Sequence, residues 1–262
     1  MCSSDLFDRY RDSGINWRAP MGLGALISTF GANLPVVFDC AATRLDRSGA
    51  RLKLETSKGE FSARAIIVTV STNLLAAEAL RFWPPLPEKI EAAAKLPLGV
   101  ADKLFLSIDG HAQHLPVEAR LYGRRDRTAM ASYHLRPFGR PLIECYFGGR
   151  FARELEAGGP QAFAAYAIED IAAALGSDVG KRLSLAACSS WARDPFALGS
   201  YSHALPGFSD LRATLAAPVE DRLFFAGEAT SKHDFSTAHG AWRTGAASAA
   251  AALACVSSSK SR

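Results

Sequence analysis

"LFFAGEATSKHDFSTAHGAWRTGAASAAAAL", residues 223–253, is the stretch that decides how this chain is read. It runs from an apolar segment through Gly227 and a lone acid, Glu228, into a polar loop, and then into an alanine-rich segment. A short apolar run closed by glycine reads as a buried strand, and an alanine-rich run of this length reads as a helix. Between the two stand Glu228, Lys232, His233 and Asp234. A strand and a helix joined only for packing have no use for that many polar groups, so the loop is the first place to look for a ligand.

Outward from this stretch, the rest of the chain reads as alternating short elements. Residues 21–33 form a short helix closed by Gly31, and "LPVVFDCAATRLD" follows as one or two strands. "ARLKLETSKGEF" alternates around a Lys58-Gly59 turn, as a half-exposed hairpin does, and "AIIVTV" is apolar throughout, as a strand buried on both faces is. "FWPPLPEKI" reads as a proline-rich boundary. Four short strand patterns over residues 103–148 predict a mostly antiparallel sheet. Residues 151–175 are helical with a break at Gly158-Gly159-Pro160, and "RLSLAACSSW" is a further strand. The turn-rich "ARDPFALGSYSHALPG" then leads to the opening stretch.

Composition bounds the function classes. The 262 residues suffice for one large domain or two modest ones. A net charge of +4 with scattered basic residues gives no reason to expect a nucleic-acid partner. Five cysteines without C-x-x-C spacing fit free thiols in a reducing compartment, so a cytoplasmic location is expected. No apolar run approaches the ~20 residues of a membrane span, so no membrane partner is expected, and "MCSSDLFDRYRDSG" lacks the apolar core of a secretory signal.

Several patterns carry no chemistry. "GLGALI" lacks the third glycine, the preceding strand and the following acid of a dinucleotide fingerprint, and reads as a helix start. His111 and His114 flank a turn without further ligands nearby, which suits solvated histidines better than a metal site. "GSDVG" places its serine wrongly for a nucleophile elbow.

The loop of the opening stretch is different. Ser236 and Thr237 are both good helix caps, so the first amides of the helix point back toward the loop. Ala238 and Gly240 are small enough for a flat ligand to lie against the backbone. A helix N-terminus favours negative charge by roughly 0.3–1 kcal/mol at exposed sites. An anionic, planar ligand fits, and a flavin is such a group. Glu228, at the end of the strand after Gly227, is placed to accept hydrogen bonds from sugar or ribityl hydroxyls. On pattern alone, a strand–loop–helix with an incidental acid stands equally well.

"LFFAGEATSKHDFSTAHGA" resembles the C-terminal flavin-binding signature of the FAD-dependent amine oxidases. "GLGALISTFGANLPVVFDCAATRLD", "GEFSARAIIVTVS", "RFWPPLPEKIEAAAKLPLGVADKLFLSID" and "WARDPFALGSYSHALPG" resemble other pieces of that family in the family's order. The resemblance spans roughly residues 15–255. It implies an α/β, two-region flavoprotein fold. Residues 1–80 and 192–262 would form the FAD-binding region, and residues 81–191 a substrate-binding region built on a mostly antiparallel sheet.

The resemblance also implies roles. Lys103 falls on the lysine that holds a water against flavin N5, although a lysine opening a strand is ordinarily a surface residue. Trp191 and Tyr201 fall on aromatic positions beside the flavin and the amine, although a lone Trp or Tyr is usually core. Gly227 and Glu228 match the ribityl or ribose contact, Ala238 the amide that reaches the flavin C2 carbonyl, and Ala42 a backbone contact to adenine. Thr237 stands where some monoamine oxidases carry a second cage tyrosine, which implies a longer amine such as a polyamine. Ser200 stands where some carry a flavin-linked cysteine, which implies non-covalent FAD.

The family's opening strand–G-x-G-x-x-G–helix unit is not found here, so the chain reads as an N-terminally truncated fragment. It is expected to hold FAD weakly and to be inactive alone. The implied reaction is oxidation of an amine to an imine, with dioxygen as acceptor and hydrogen peroxide as product. An L-amino-acid oxidase or a desaturase-like flavoenzyme of the same fold is the first alternative, and a non-catalytic fragment the second.

Overall fold

The computed structural model describes residues 17–110, 114–124, 126 and 128–258. The chain divides into two units, Met1–Pro97 with His203–Arg262, and Leu98–Ser202. In chain order the first unit contributes α1 (Leu23–Gly31), β1 (Ala42–Asp46), β2 (Leu52–Thr56), β3 (Gly59–Ala63), β4 (Ile66–Val68), α2 (Thr72–Ala76), β5 (Arg81–Trp83) and α3 (Pro87–Lys95). The second contributes β6 (Ala101–Ile108), β7 (Ala119–Tyr122), β8 (Ala131–Leu135), β9 (Leu142–Gly148), α4 (Gly149–Gly158), α5 (Pro160–Leu175), α6 (Ser177–Gly180) and β10 (Leu183–Cys188). The chain then supplies the first unit with α7 (Leu211–Ala216), β11 (Leu223–Phe225) and α8 (Ala238–Ser258).

The second unit follows from its alternation. On β6, Asp102, Leu104, Leu106 and Ile108 are buried while Lys103 is exposed and Phe105 and Ser107 are half-buried, as a sheet with one covered face requires. The strands lie in the order β10-β6-β9-β8-β7, and every pair is antiparallel. The covered face packs on α5 through Phe163, Ala167 and Ile171, around Leu104, Tyr133 and Phe147. Gly159 separates α4 from α5 with φ 76°, a left-handed turn that glycine enters without penalty.

The first unit has two smaller sheets. One runs β3-β2-β1-β5, with β5 parallel to β1, and the other pairs β11 with β4 in parallel. Their core gathers Leu45, Leu52, Val68, Phe82, Ala93, Leu96, Leu215 and Phe225. Lys89, buried on α3, donates to the carbonyls of Thr214, Leu215 and Ala217 at the end of α7 and lies 4.6 Å from the centre of the Phe225 ring. Burial lowers this ammonium to about 8.

Two expectations fail for identifiable reasons. Of "LPVVFDCAATRLD" only residues 42–46 form a strand. Residues 34–38 have no ladder partner and expose Val36, Val37 and Phe38, while Lys58 holds the Phe38 carbonyl and Ser57 the Asp39 carbonyl. The proline-rich run is not a break: Phe82 pairs beside Leu45 on β1, and α3 starts at Pro87 and buries Ala92 and Ala93. Residues 81–97 therefore pack with the first unit, and residues 192–202 fall in the second.

Among the described residues no helix is long and apolar enough to cross a membrane. Among them, too, no three His, Cys, Asp or Glu side chains cluster as metal ligands; His111 lies outside the described residues. Cys40, Cys145, Cys188 and Cys255 are free thiols, and Cys2 lies outside the described residues.

Candidate functional site

The expected residues fall into one group in each unit. In the first unit, β11 ends at Phe225 and the chain turns at Gly227, whose φ of 136° suits glycine. Thr244 of α8 ties that turn down, its Oγ1 accepting from the Gly227 amide at 3.0 Å. Glu228 follows directly, and its Oε2 accepts from the Ser236 amide at 2.6 Å, which bridges the two ends of the polar loop. Thr237 caps α8: its Oγ1 accepts from the Gly240 amide at 3.0 Å and donates to the Asp234 carbonyl at 2.6 Å. A Cβ on Gly240 would sit 1.9 Å from that same carbonyl oxygen, so the loop can lie on the helix only because residue 240 is glycine.

This arrangement leaves the start of α8 reachable. Ala238 and His239 are exposed, and the first helical amides have no carbonyl within the helix to bond. Both signs of charge stand nearby. Arg243 pairs with Asp234 at 2.6 Å, and the buried Arg212 stacks 4.3 Å over the Phe235 ring and donates to the Ala229 carbonyl at 2.9 Å. Burial lowers the Arg212 guanidinium, and the Glu228 charge opposes that. Open helix amides beside a strand-end acid suit the ring and hydroxyl portions of a flavin. Ala42 opens β1 in the four-stranded sheet and is half-buried.

In the second unit, Lys103 projects from the uncovered face of β6, 49% exposed, and its Nζ pairs with Glu144 of β9 at 2.5 Å. Tyr201 is 42% exposed. It reaches the same strand because Ser200 and Tyr201 are sewn to residues 99–101. The Gly99 amide donates to the Tyr201 carbonyl at 2.8 Å, and the Ala101 amide donates to Ser200 Oγ at 2.6 Å. Trp191 is 43% exposed and stands in a 3-10 turn, Trp191–Arg193.

Two features of this group were not expected from the sequence. Tyr146 lies opposite Lys103 in the β6–β9 register, and its hydroxyl meets that of Tyr201 at 2.6 Å. Burial, and then the bond to Tyr201, raises the Tyr146 hydroxyl above its ordinary value, so it stays protonated. Lys103, Tyr146 and Tyr201 are thus brought together on one face of the sheet. The second feature is Asp102, fully buried on the opposite face of β6, whose Oδ1 accepts from the Trp191 amide at 3.2 Å. The available signals were the lone acid in an otherwise apolar strand pattern and the alternation that puts Tyr146 on the polar face of "LIECYFGG".

The family model for flavin-containing amine oxidoreductases matches residues 2–253. Polyamine oxidase 4 of Oryza sativa subsp. japonica is 30% identical over 232 residues, covering 87% of this chain and 47% of that protein. Polyamine oxidase 2 of Arabidopsis thaliana is 31% identical over 235 residues, covering 86% and 46%. Lysine-specific histone demethylase 1 homolog 3 of Arabidopsis thaliana is 28% identical over 232 residues, covering 86% of this chain and 14% of that protein. The chain therefore spans about half the length of the polyamine oxidases it matches, and less of the demethylase homologue. With most of its length matched, the chain belongs to the flavin-containing amine oxidoreductase family.

Proposed function

We propose that this chain is the body of an FAD-dependent amine oxidase that takes a polyamine-like amine, uses dioxygen as acceptor and releases hydrogen peroxide. One observation carries the reading: Lys103, Tyr146 and Tyr201 share the uncovered face of the five-stranded sheet through strand register and a 2.6 Å hydroxyl contact. When bound, FAD supplies the two-electron acceptor. The protein's part is to bind, orient and desolvate the amine. Tyr201 walls the amine, and Tyr146 fixes the direction of the Tyr201 hydroxyl. Lys103 holds a positive charge at a constant place because Glu144 anchors its Nζ.

In the other unit, Ala238 offers a helix-terminal amide, and Gly227 and Glu228 hold the turn that would meet the hydroxyls of the cofactor. Ser200 carries no thiol and is bonded to the backbone of Ala101, which supports non-covalent FAD. Thr237 caps α8 and carries no ring where some members of the family carry a tyrosine, which supports a longer amine. The polyamine oxidases among the relatives support the same substrate class. The demethylase homologue favours a second reading, in which the amine is a lysine side chain.

The test uses the chain fused behind a nucleotide-binding N-terminal unit of the family. Purified material is expected to be yellow and to release peroxide from spermidine faster than from a methylated lysine peptide or an L-amino acid. Tyr201→Ala should raise KM and lower kcat with the flavin retained. Loss of flavin with unchanged kinetics per bound flavin would overturn the assignment of Tyr201.

A further inference from the structure

Of the three acids buried in the second unit, Asp102, Glu156 and Asp170, the first two bear on Trp191. Asp102 is 0% exposed and Glu156 of α4 is 3% exposed. Among the described residues neither is ion-paired. Both are turned toward the segment that carries Trp191. Asp102 Oδ1 accepts from Ser189 Oγ at 2.8 Å and from the Trp191 amide at 3.2 Å. Glu156 Oε1 accepts from the next amide, that of Ala192, at 2.9 Å. Ser189 Oγ in turn accepts from the Lys103 amide at 2.9 Å. Asp102 thus joins the backbone of Lys103, through Ser189, to the turn of Trp191, and Glu156 holds the next residue of that turn.

We infer that Asp102 and Glu156 are a positioning pair for Trp191, two buried carboxyls that grip consecutive amides of its turn. Its consequence for turnover rests on the proposed reading of Trp191 as the aromatic beside the cofactor.

Asp102 receives two hydrogen bonds on one oxygen, and Glu156 receives one from the amide that follows that of Trp191. Burial raises the Glu156 carboxyl above the ordinary range, and the Ala192 amide draws it down. A polar group this deeply buried is held by the hydrogen bonds it makes, so each acid and the amide it accepts from fix one another's place.

The test is made on the full chain with Trp17, Trp83 and Trp242, all exposed, changed to Phe, which leaves Trp191 as the sole tryptophan. Its emission and its quenching by acrylamide are compared between variants, and hydrogen exchange of the Trp191 and Ala192 amides is read in the parent. In the parent both amides are expected to be protected. Glu156→Gln keeps an oxygen that accepts from the Ala192 amide, so its quenching should match the parent's. Glu156→Leu leaves that amide without its acceptor, so Trp191 should emit further to the red and quench more readily. Unprotected Trp191 and Ala192 amides in the parent, or a Glu156→Leu variant that quenches as the parent does, overturns the inference, and the first does not depend on whether Glu156→Leu folds. Fluorescence needs no cofactor or amine. If the clamp holds and Trp191→Ala leaves the kinetics of the fused enzyme unchanged, only the proposed role of Trp191 fails.

Discussion

The two units use apolar residues in opposite ways. In the second, alternate residues of β6, β8 and β9 meet α5, and Leu104, Leu106, Tyr133, Ile143, Phe147 and Ile171 are all buried. In the first, the core around Leu45, Phe82 and Phe225 is equally closed, but α1 buries no residue, and Met21, Leu26, Ile27, Phe30, Val37 and Phe38 are exposed. Apolar composition is similar in both stretches, yet it contributes to stability only where another surface removes it from water. Sheet pairing differs in the same direction. Three strands of the five-stranded sheet have neighbours on both sides, whereas among the described residues β4 and β11 pair only with each other.

Three substitutions sharpen this contrast. Phe147→Ala should have the largest effect. The ring is fully buried and packs on Phe151, Phe163 and Tyr166, so its loss should cost about 3–5 kcal/mol. Amide exchange in β6, β8 and β9 would report it, since that measurement reads one unit by itself. A cost under 1 kcal/mol would show that the sheet core is looser than its burial implies. Lys89→Met comes next. It leaves three carbonyls at the end of α7 without their donor, at about 1–3 kcal/mol, read as faster exchange in α7 and β11. Leu26→Ser should fall within ~0.5 kcal/mol, because Leu26 is exposed already. Its measurable effect should be less self-association, seen by light scattering. A large loss of stability from Leu26→Ser would break the comparison, by showing that α1 is covered in solution.

Much of this was legible before any coordinate. The break at Gly158-Gly159-Pro160, the Lys58-Gly59 hairpin, the strands of residues 103–148 and the cap of α8 are local features, and each rests on what neighbouring residues can do with their own backbone. The polar loop of residues 227–237 was visible for the same reason: a strand end, a cap and a helix start are short-range patterns. Residues 34–38 were misread because apolar residues look alike whether or not a partner strand exists. The proline-rich run was misread because Phe82 gains its place only by pairing with β1.

What the sequence determined by itself was the strands of residues 103–148, the polar loop and the family, because these depend on side-chain type at short spacing. Tertiary structure alone decided that Tyr146 meets Tyr201 and that Asp102 and Glu156 grip the Trp191 turn. Those contacts join residues far apart in the chain, Tyr146 to Tyr201 and Asp102 to Trp191, and depend on strand register and on which face of β6 each side chain takes. A shift of one residue in that register would exchange the faces, placing Lys103 in the core and Asp102 in water.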